Sequence, residues 1–159
     1  MTGFRRGIRI GVDVGTARVG VARCDPDGLL ATPVETVPRT DAAVARVREI
    51  GAEWDAIEFV VGLPVALSGR ETASTADARE FASQLAASGV PVRLVDERLS
   101  TVSAHAALRG SGRSQRQSRN IVDQVAAVIL LQNAIDTEKQ TGRTPGAVVP
   151  APEEATPND

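Results

Sequence analysis

The stretch that decides the fold is residues 7–24, which read GIRIGVDVGTARVGVARC. Over its first seven residues, which end at Asp13, apolar residues alternate with small or polar ones, the pattern of a strand that buries one face. Gly15 and Thr16 then favour a turn, and a second strand of the same kind is predicted over residues 18–23. The chain is therefore expected to begin with a β-hairpin.

Downstream of this hairpin, strands and helices alternate. A third strand is predicted over residues 29–37, after a turn rich in Asp, Pro and Gly, and it completes an antiparallel meander with the first strand in the centre. Two short apolar strands, expected to be parallel, follow over residues 57–62 and 92–95. Helices are predicted over residues 41–54, 74–88, 100–109 and 118–136. The expected fold is α/β, with a five-stranded mixed sheet flanked by helices.

Length and composition indicate one globular domain over residues 1–137, since 159 residues suffice for a proper core. Residues 138–159 are polar and rich in proline, so this tail is predicted to be disordered. The net charge of −2 argues against a protein that coats nucleic acid nonspecifically. No apolar run resembles a membrane span or a signal peptide, so a cytoplasmic protein without membrane contact is expected. The single cysteine, Cys24, is expected to be a buried thiol.

Three carboxylates fall in segments that are expected to be buried. Asp13 ends the first strand pattern, Glu97 directly follows the fifth strand, and Asp123 lies in the apolar helix segment 121–131. A buried carboxylate is costly unless it is paired, protonated or bound to a metal. Each acid alone has another explanation, namely a turn bond, a surface ion pair and a favourable position near a helix start, respectively.

Taken together, the three acids predict a metal site. The carboxyl ends of parallel strands share one edge of a sheet, and the last helix need only pack over that edge for the acids to converge. Clustered carboxylates suit the hard cations Mg²⁺ and Mn²⁺. Two such ions can stabilise both the attacking and the leaving oxygen of a phosphodiester displacement.

Arginines around these acids are candidate phosphate contacts. Two of them, Arg18 and Arg98, stand close to the acids and would either contact the scissile strand or balance the acidic charge. A further set shares one loop-to-helix stretch without any acid, and consists of Arg109, Arg113, Arg116 and Arg119. This stretch is either a phosphate-binding surface or a solvated loop. Because aromatic residues make up only 3% of the chain, recognition should rest on backbone and shape rather than base stacking.

Four segments together resemble the signature blocks of the YqgF/RuvX family. They are IGVDVGTARVGVA at 10–22, VGLP at 61–64, DERLST at 96–101 and IVDQVAA at 121–127. The resemblance covers roughly residues 7 to 136 and implies an RNase H-like fold related to the RuvC Holliday-junction resolvases. It also implies a divalent metal, with Asp13, Glu97 and Asp123 as the catalytic acids. One departure is that Ala126 stands where many RNase H-like nucleases carry a fourth acid near the third.

Several functions are compatible with these residues. The first is a metal-dependent nuclease, with a family role in maturing the 5′ end of pre-16S rRNA. The second is a Holliday-junction resolvase, which would act as a dimer because the junction is twofold symmetric. The third is a non-catalytic RNA-binding factor for ribosome assembly. An actin-like ATP-binding protein also carries Asp-x-Gly-Thr, but one domain of this size cannot close over ATP. Nucleic acid is thus the expected partner, as structured RNA precursor or branched DNA, and the protein is expected to be a monomer or a homodimer.

Overall fold

The structure is a computed structural model that describes residues 4–96 and 115–151, with side chains described from residue 123 onward in the second range. Along these residues the elements are β1 (Arg9–Val14), β2 (Arg18–Cys24), β3 (Ala31–Pro38), α1 (Ala43–Glu53), β4 (Glu58–Leu63), α2 (Ala73–Ala86), β5 (Val92–Asp96), α3 (Gln115–Thr141) and β6 (Ala147–Val148). None of the helices in the two ranges is long and apolar enough to cross a membrane.

The strands form one mixed sheet in the order β3-β2-β1-β4-β5-β6. The first three strands are an antiparallel meander, and β1, β4 and β5 run parallel to one another. This arrangement confirms the predicted α/β fold and the central place of β1. The described residues hold six strands rather than the predicted five, because β6 pairs antiparallel with the outer edge of β5.

The sixth strand lies in the segment 138–159, for which the sequence predicted disorder. Helix α3 continues to Thr141, and after β6 the amide of Val149 donates to the carbonyl of Val92 at 2.9 Å. The prediction rested on polar and proline-rich composition, but a short edge strand needs only backbone partners, which the free edge of β5 offers. The structure therefore differs from the prediction up to residue 151, and residues 152–159 lie outside the described part.

The sheet separates two apolar layers. On one side, Ile10, Val12, Val19 and Val21 are fully buried against α1 and α2. On the other side, α3 covers β1 and β2, and the fully buried Cys24 belongs to this second layer. The alternation predicted for the hairpin is thus observed, with its valine and isoleucine face in the first layer. Burial also raises the pKa of the Cys24 thiol.

Helix boundaries also differ from the sequence prediction by a few residues. Helix α3 begins at Gln115, inside the stretch predicted as loop. Helix α2 begins one residue earlier than predicted, because Thr72 caps it: the Thr72 hydroxyl accepts from the Thr75 amide at 3.4 Å, and the Thr75 hydroxyl accepts from the Thr72 amide at 2.9 Å. The helix predicted over residues 100–109 lies outside the described residues.

Candidate active site

Two glycines let α3 lie almost directly on the β1–β2 backbone. A Cβ built at Gly20 would overlap the carbonyl oxygen of Asp123, so no side chain fits there. A Cβ built at Gly11 would stand 2.8 Å from the Cβ of Leu131 and 2.9 Å from the carbonyl oxygen of Ala127. Because both glycines lie on the face of the hairpin that α3 covers, this close approach determines where Asp123 sits.

This docking brings Asp13 and Asp123 to the same place. Asp13 is the register partner of Gly20 across the β1–β2 ladder. Residues directly opposite one another in an antiparallel pair point to the same face, with Cβ atoms about 5 Å apart. The side chain of Asp13 therefore leaves the sheet on the side where the backbone of Asp123 lies over Gly20. Asp13 is half-buried, and the Asp123 side chain is 18% exposed.

The acids lie at the edge formed by the carboxyl ends of the parallel strands. Asp13 stands one residue beyond the Val12–Val61 pair, and in the next row of the sheet Gly62 pairs with Val95 of β5. Strands in a sheet are about 4.8 Å apart, so Asp13 and the end of β5 are roughly 10 Å apart.

The third predicted acid, Glu97, directly follows β5 but lies outside the described residues, as do Arg98, Arg109 and Arg113. Arg116 and Arg119 lie in the first turns of α3, where the structure describes the backbone only. Among the described residues there is no group of three His, Cys, Asp or Glu side chains that could hold a metal ion. The described residues thus supply two of the three predicted ligands.

Arg18 is a described arginine that contacts Asp123. Its Nε donates to Oδ2 of Asp123 at 2.7 Å, and the Arg18 side chain is 31% exposed. Arg18 lies two residues before Gly20 on β2, so both residues face α3. The sequence left open whether Arg18 contacts nucleic acid or balances the acids, and in this structure it balances Asp123.

Sequence reasoning missed Arg39, which holds the turn after Asp13. The guanidinium of Arg39 donates to the carbonyl of Gly15 at 2.9 Å and to both carboxylate oxygens of Asp77 at 2.7 Å. The Arg39 amide also donates to the carbonyl of Ala17 at 3.0 Å. The hydrogen bonds from Arg39 lower the pKa of the Asp77 carboxyl below its ordinary value. No local pattern could reveal this link, because Arg39 and Asp77 are 38 residues apart.

A second ionic cluster fixes the far end of α3. Glu138 is 3% exposed and accepts from Arg9 Nη2 at 3.0 Å and from Arg5 Nη2 at 2.8 Å. Burial opposes the ionisation of Glu138, but the hydrogen bonds from Arg5 outweigh it and hold the pKa of Glu138 below its ordinary value. Arg9 begins β1, whereas Asp13 lies near the end of β1, so α3 runs along the whole strand in the opposite direction. The cluster secures the helix without contributing to the edge that carries the acids.

The donor atoms at the acidic edge suit a hard cation. Both described side chains offer carboxylate oxygens, which are the ligands that Mg²⁺ and Mn²⁺ prefer. Cys24, the one thiol in the chain, lies at the opposite end of β2. The donor chemistry therefore fits a hard divalent ion better than a thiophilic one such as Zn²⁺.

Known proteins give the arrangement a context. The family model described as "RuvX: Holliday junction resolvase" matches residues 7–137. A protein of Clavibacter michiganensis subsp. michiganensis is 63% identical over 151 residues, which are 92% of this chain and 94% of the relative. A protein of Leifsonia xyli subsp. xyli is 57% identical over 146 residues, or 90% of this chain and 94% of the relative. Both relatives are named as candidate pre-16S rRNA nucleases.

Among solved structures, RuvC of T. thermophilus in complex with a Holliday-junction substrate has a TM-score of 0.53 to this structure. The two chains are 17% identical, and the match covers 85% of this chain and 97% of RuvC. At this identity the likeness shows a shared RNase H-like fold alone. Since the family model covers residues 7–137 and the two relatives are more than half identical along almost the whole chain, the chain belongs to the RuvX (YqgF) family.

Proposed function

We propose that this protein is a divalent-metal-dependent nuclease that hydrolyses phosphodiester bonds at the 5′ end of pre-16S rRNA. The observation that carries the proposal is that Asp13 is the register partner of Gly20 while the backbone of Asp123 lies over Gly20, at the carboxyl edge of the parallel strands. Family membership and the names of the relatives support the same reaction class and substrate.

Asp13, Glu97 and Asp123 would hold the metal. Support for Glu97 comes from its place directly after β5, two residues beyond Val95, which packs in the apolar layer under α3. When bound, the cation would supply charge stabilisation at the attacked phosphate and a more acidic water. Asp13 stands on a strand paired on both sides, and Asp123 on a helix seated on glycine, so the backbone that carries each carboxylate is held in place before any ligand arrives.

The start of α3 is the proposed phosphate-binding surface. Arg119 and Arg116 precede Asp123 by four and seven residues, or about 6 Å and 10 Å along a helix axis. A helix N-terminus attracts anions through its free amides and dipole. We therefore propose that Arg116 and Arg119, together with Arg98, Arg109 and Arg113, contact the nucleic-acid backbone. Arg18 would join them.

The central test replaces each acid by its neutral isostere. We expect Asp13→Asn and Asp123→Asn to lower Mg²⁺- or Mn²⁺-dependent cleavage of a pre-16S 5′ fragment by about 100-fold or more, since the metal loses a charged ligand. Circular dichroism and RNA binding should stay close to those of the parent protein. Asp27→Asn is the matched control, because Asp27 is an exposed aspartate in the β2–β3 turn. Cleavage at the parent rate by the Asp123→Asn protein would refute the assignment.

Holliday-junction resolution is the second candidate, since the family model carries that description and the RuvC structure holds a junction. To test it, the protein is incubated with pre-16S RNA and with a four-way DNA junction, each in the presence of Mg²⁺ or Mn²⁺. Light scattering determines the oligomeric state. Trimming of the RNA end supports our proposal. Symmetric nicks near the crossover by a homodimer would replace it by junction resolution. Tight RNA binding without cleavage under either ion would indicate the non-catalytic assembly factor.

A further inference from the structure

We propose that Arg18 and the divalent cation are alternative partners of the Asp123 carboxylate, and that the guanidinium freed by this exchange binds a phosphate of the substrate. The inference rests on the proposed function, because it deepens the account of the same site. It concerns a residue whose contact is visible in the structure, the 2.7 Å hydrogen bond from Arg18 Nε to Asp123 Oδ2.

Helix α3 does not depend on this ion pair for its position. Gly11 and Gly20 fix the height of the helix above the sheet. Gln124, the residue after Asp123, donates from Nε2 to the hydroxyl of Thr36 on β3 at 2.7 Å. The buried cluster around Glu138 secures the other end. Arg18 can therefore leave Asp123 while the backbone of Asp123 stays in place.

Two ionic contacts between described side chains join α3 to the hairpin, and they differ in their exposure to solvent. Arg9 and Glu138 have side chains that are 2% and 4% exposed, so their pair is closed off from solvent and ligands. Arg18 and Asp123 have side chains that are 31% and 18% exposed. A long arginine side chain at such a half-open position can turn towards solvent or a ligand without unpacking the core.

Electrostatic interactions at this edge favour the exchange. Asp13 and Asp123 share one edge, and Arg18 supplies positive charge to the Asp123 carboxylate there when no cation is bound. A divalent ion on Asp123 would take over this role and repel a guanidinium held against the same carboxylate. The N–H donors of the guanidinium are then free beside the ion, and their planar arrangement suits the oxygens of a phosphate.

The test measures metal binding in the absence of nucleic acid. We expect Arg18→Gln to bind Mn²⁺ about three- to tenfold more tightly than the parent protein, since one competing ion pair is removed. The free ion is counted by electron paramagnetic resonance. Arg6→Gln is the matched control, because Arg6 Nε makes a similar single contact with Asp27 Oδ1, at 3.0 Å, at the opposite end of β2. Its Mn²⁺ affinity should equal that of the parent.

A second measurement uses the parent protein, so it does not depend on the folding of a variant. The Arg18 Nε–H signal in nitrogen-15 NMR, assigned by its loss in Arg18→Gln, should shift and exchange faster with water as Mg²⁺ is added. With Ca²⁺ present, Arg18→Gln should also bind a labelled single-stranded RNA oligonucleotide several-fold more weakly than Arg6→Gln. Without a divalent ion, the two variants should bind this RNA equally.

The outcomes separate this inference from the proposed function. If Asp123→Asn binds Mn²⁺ as tightly as the parent, the metal site itself is wrong and the exchange falls with it. A different result would overturn only the exchange: Asp123→Asn loses Mn²⁺ binding, Arg18→Gln has the same Mn²⁺ affinity as the parent, and the Arg18 signal does not respond to Mg²⁺. In that case Arg18 and the cation would share Asp123 through its two oxygens.

Discussion

At the scale of single residues, Gly20 has the largest effect on the site. It is the register partner of Asp13 and lies under the carbonyl of Asp123, so one missing side chain determines the separation of the two acids. A glycine in a strand ordinarily weakens the strand, because it offers nothing to pack. Here the empty space is filled by the helix that carries the second acid.

The corresponding prediction is that Gly20→Ala damages the site more than the fold. The added methyl group must lift the start of α3, which we expect to cost about 1–3 kcal/mol of unfolding free energy and to weaken Mn²⁺ binding. The comparison is Gly11→Ala, where the methyl group would instead meet Leu131 and Ala127 in the middle of the helix. That variant should lose similar stability but less Mn²⁺ affinity. Urea unfolding measures the stability of each variant, and Mn²⁺ titration measures its metal affinity. Equal metal affinities in the two variants would contradict this role of Gly20.

At the scale of elements, α3 joins a structural end to a functional end. Asp123, Ala127, Leu131 and Glu138 are spaced by four, four and seven residues, so they share one stripe of the helix. The apolar middle of the stripe packs on the hairpin, and each end carries a carboxylate paired with an arginine of the hairpin strands. Because the helix is rigid, the contacts of Glu138 at its far end help to keep Asp123 in place.

The far end can be tested by Glu138→Gln. The change removes the carboxylate that Arg9 contacts and one of the two, Glu138 and Glu58, that Arg5 contacts, at a site where Glu138 is 3% exposed. Removal of one partner of a buried pair is expected to cost about 3–5 kcal/mol of unfolding free energy. Glu49→Gln is the control, because Glu49 pairs with Arg46 but is 65% exposed, and an exposed pair contributes about 1 kcal/mol or less. Denaturant unfolding measures the stability of both variants. Equal losses of unfolding free energy would show that the cluster around Glu138 does not anchor the helix.

At the scale of the whole molecule, the sequence predicted features that depend on local periodicity. The hairpin and the central β1 were predictable because alternation over residues 8–13 is a local signal. The edge strand β6 was not, since two residues carry no period. The pairs Arg18–Asp123 and Arg39–Asp77 span 105 and 38 residues, so only the folded chain could reveal them. That Asp123 would lie near Asp13 was predicted from the shared edge of the parallel strands and was also implied by the family resemblance, whereas the part played by Gly20 became visible only in the structure.

Several carboxylates in different parts of the molecule are expected to make its stability fall at acid pH. The pKa values of Glu138, Asp77 and Glu35 are lowered, and bonds from Arg5, Arg39 and Arg46, respectively, hold these acids ionised. A carboxyl with a lower pKa when folded contributes its full stability above its unfolded pKa, which is 4.5 for Glu and 3.8 for Asp.

We therefore expect stability to be insensitive to these groups near neutral pH and to fall as pH drops below about 5, because the unfolded chain takes up protons first. Urea midpoints between pH 3 and pH 8 measure this dependence. Glu138→Gln removes one of the titrating groups, so its midpoint should fall less steeply with acid than that of Glu49→Gln. Parallel slopes for the two variants would mean that Glu138 binds its proton equally well in the folded and unfolded chain. The arginine cluster at the far end of α3 would then not be the source of the acid sensitivity.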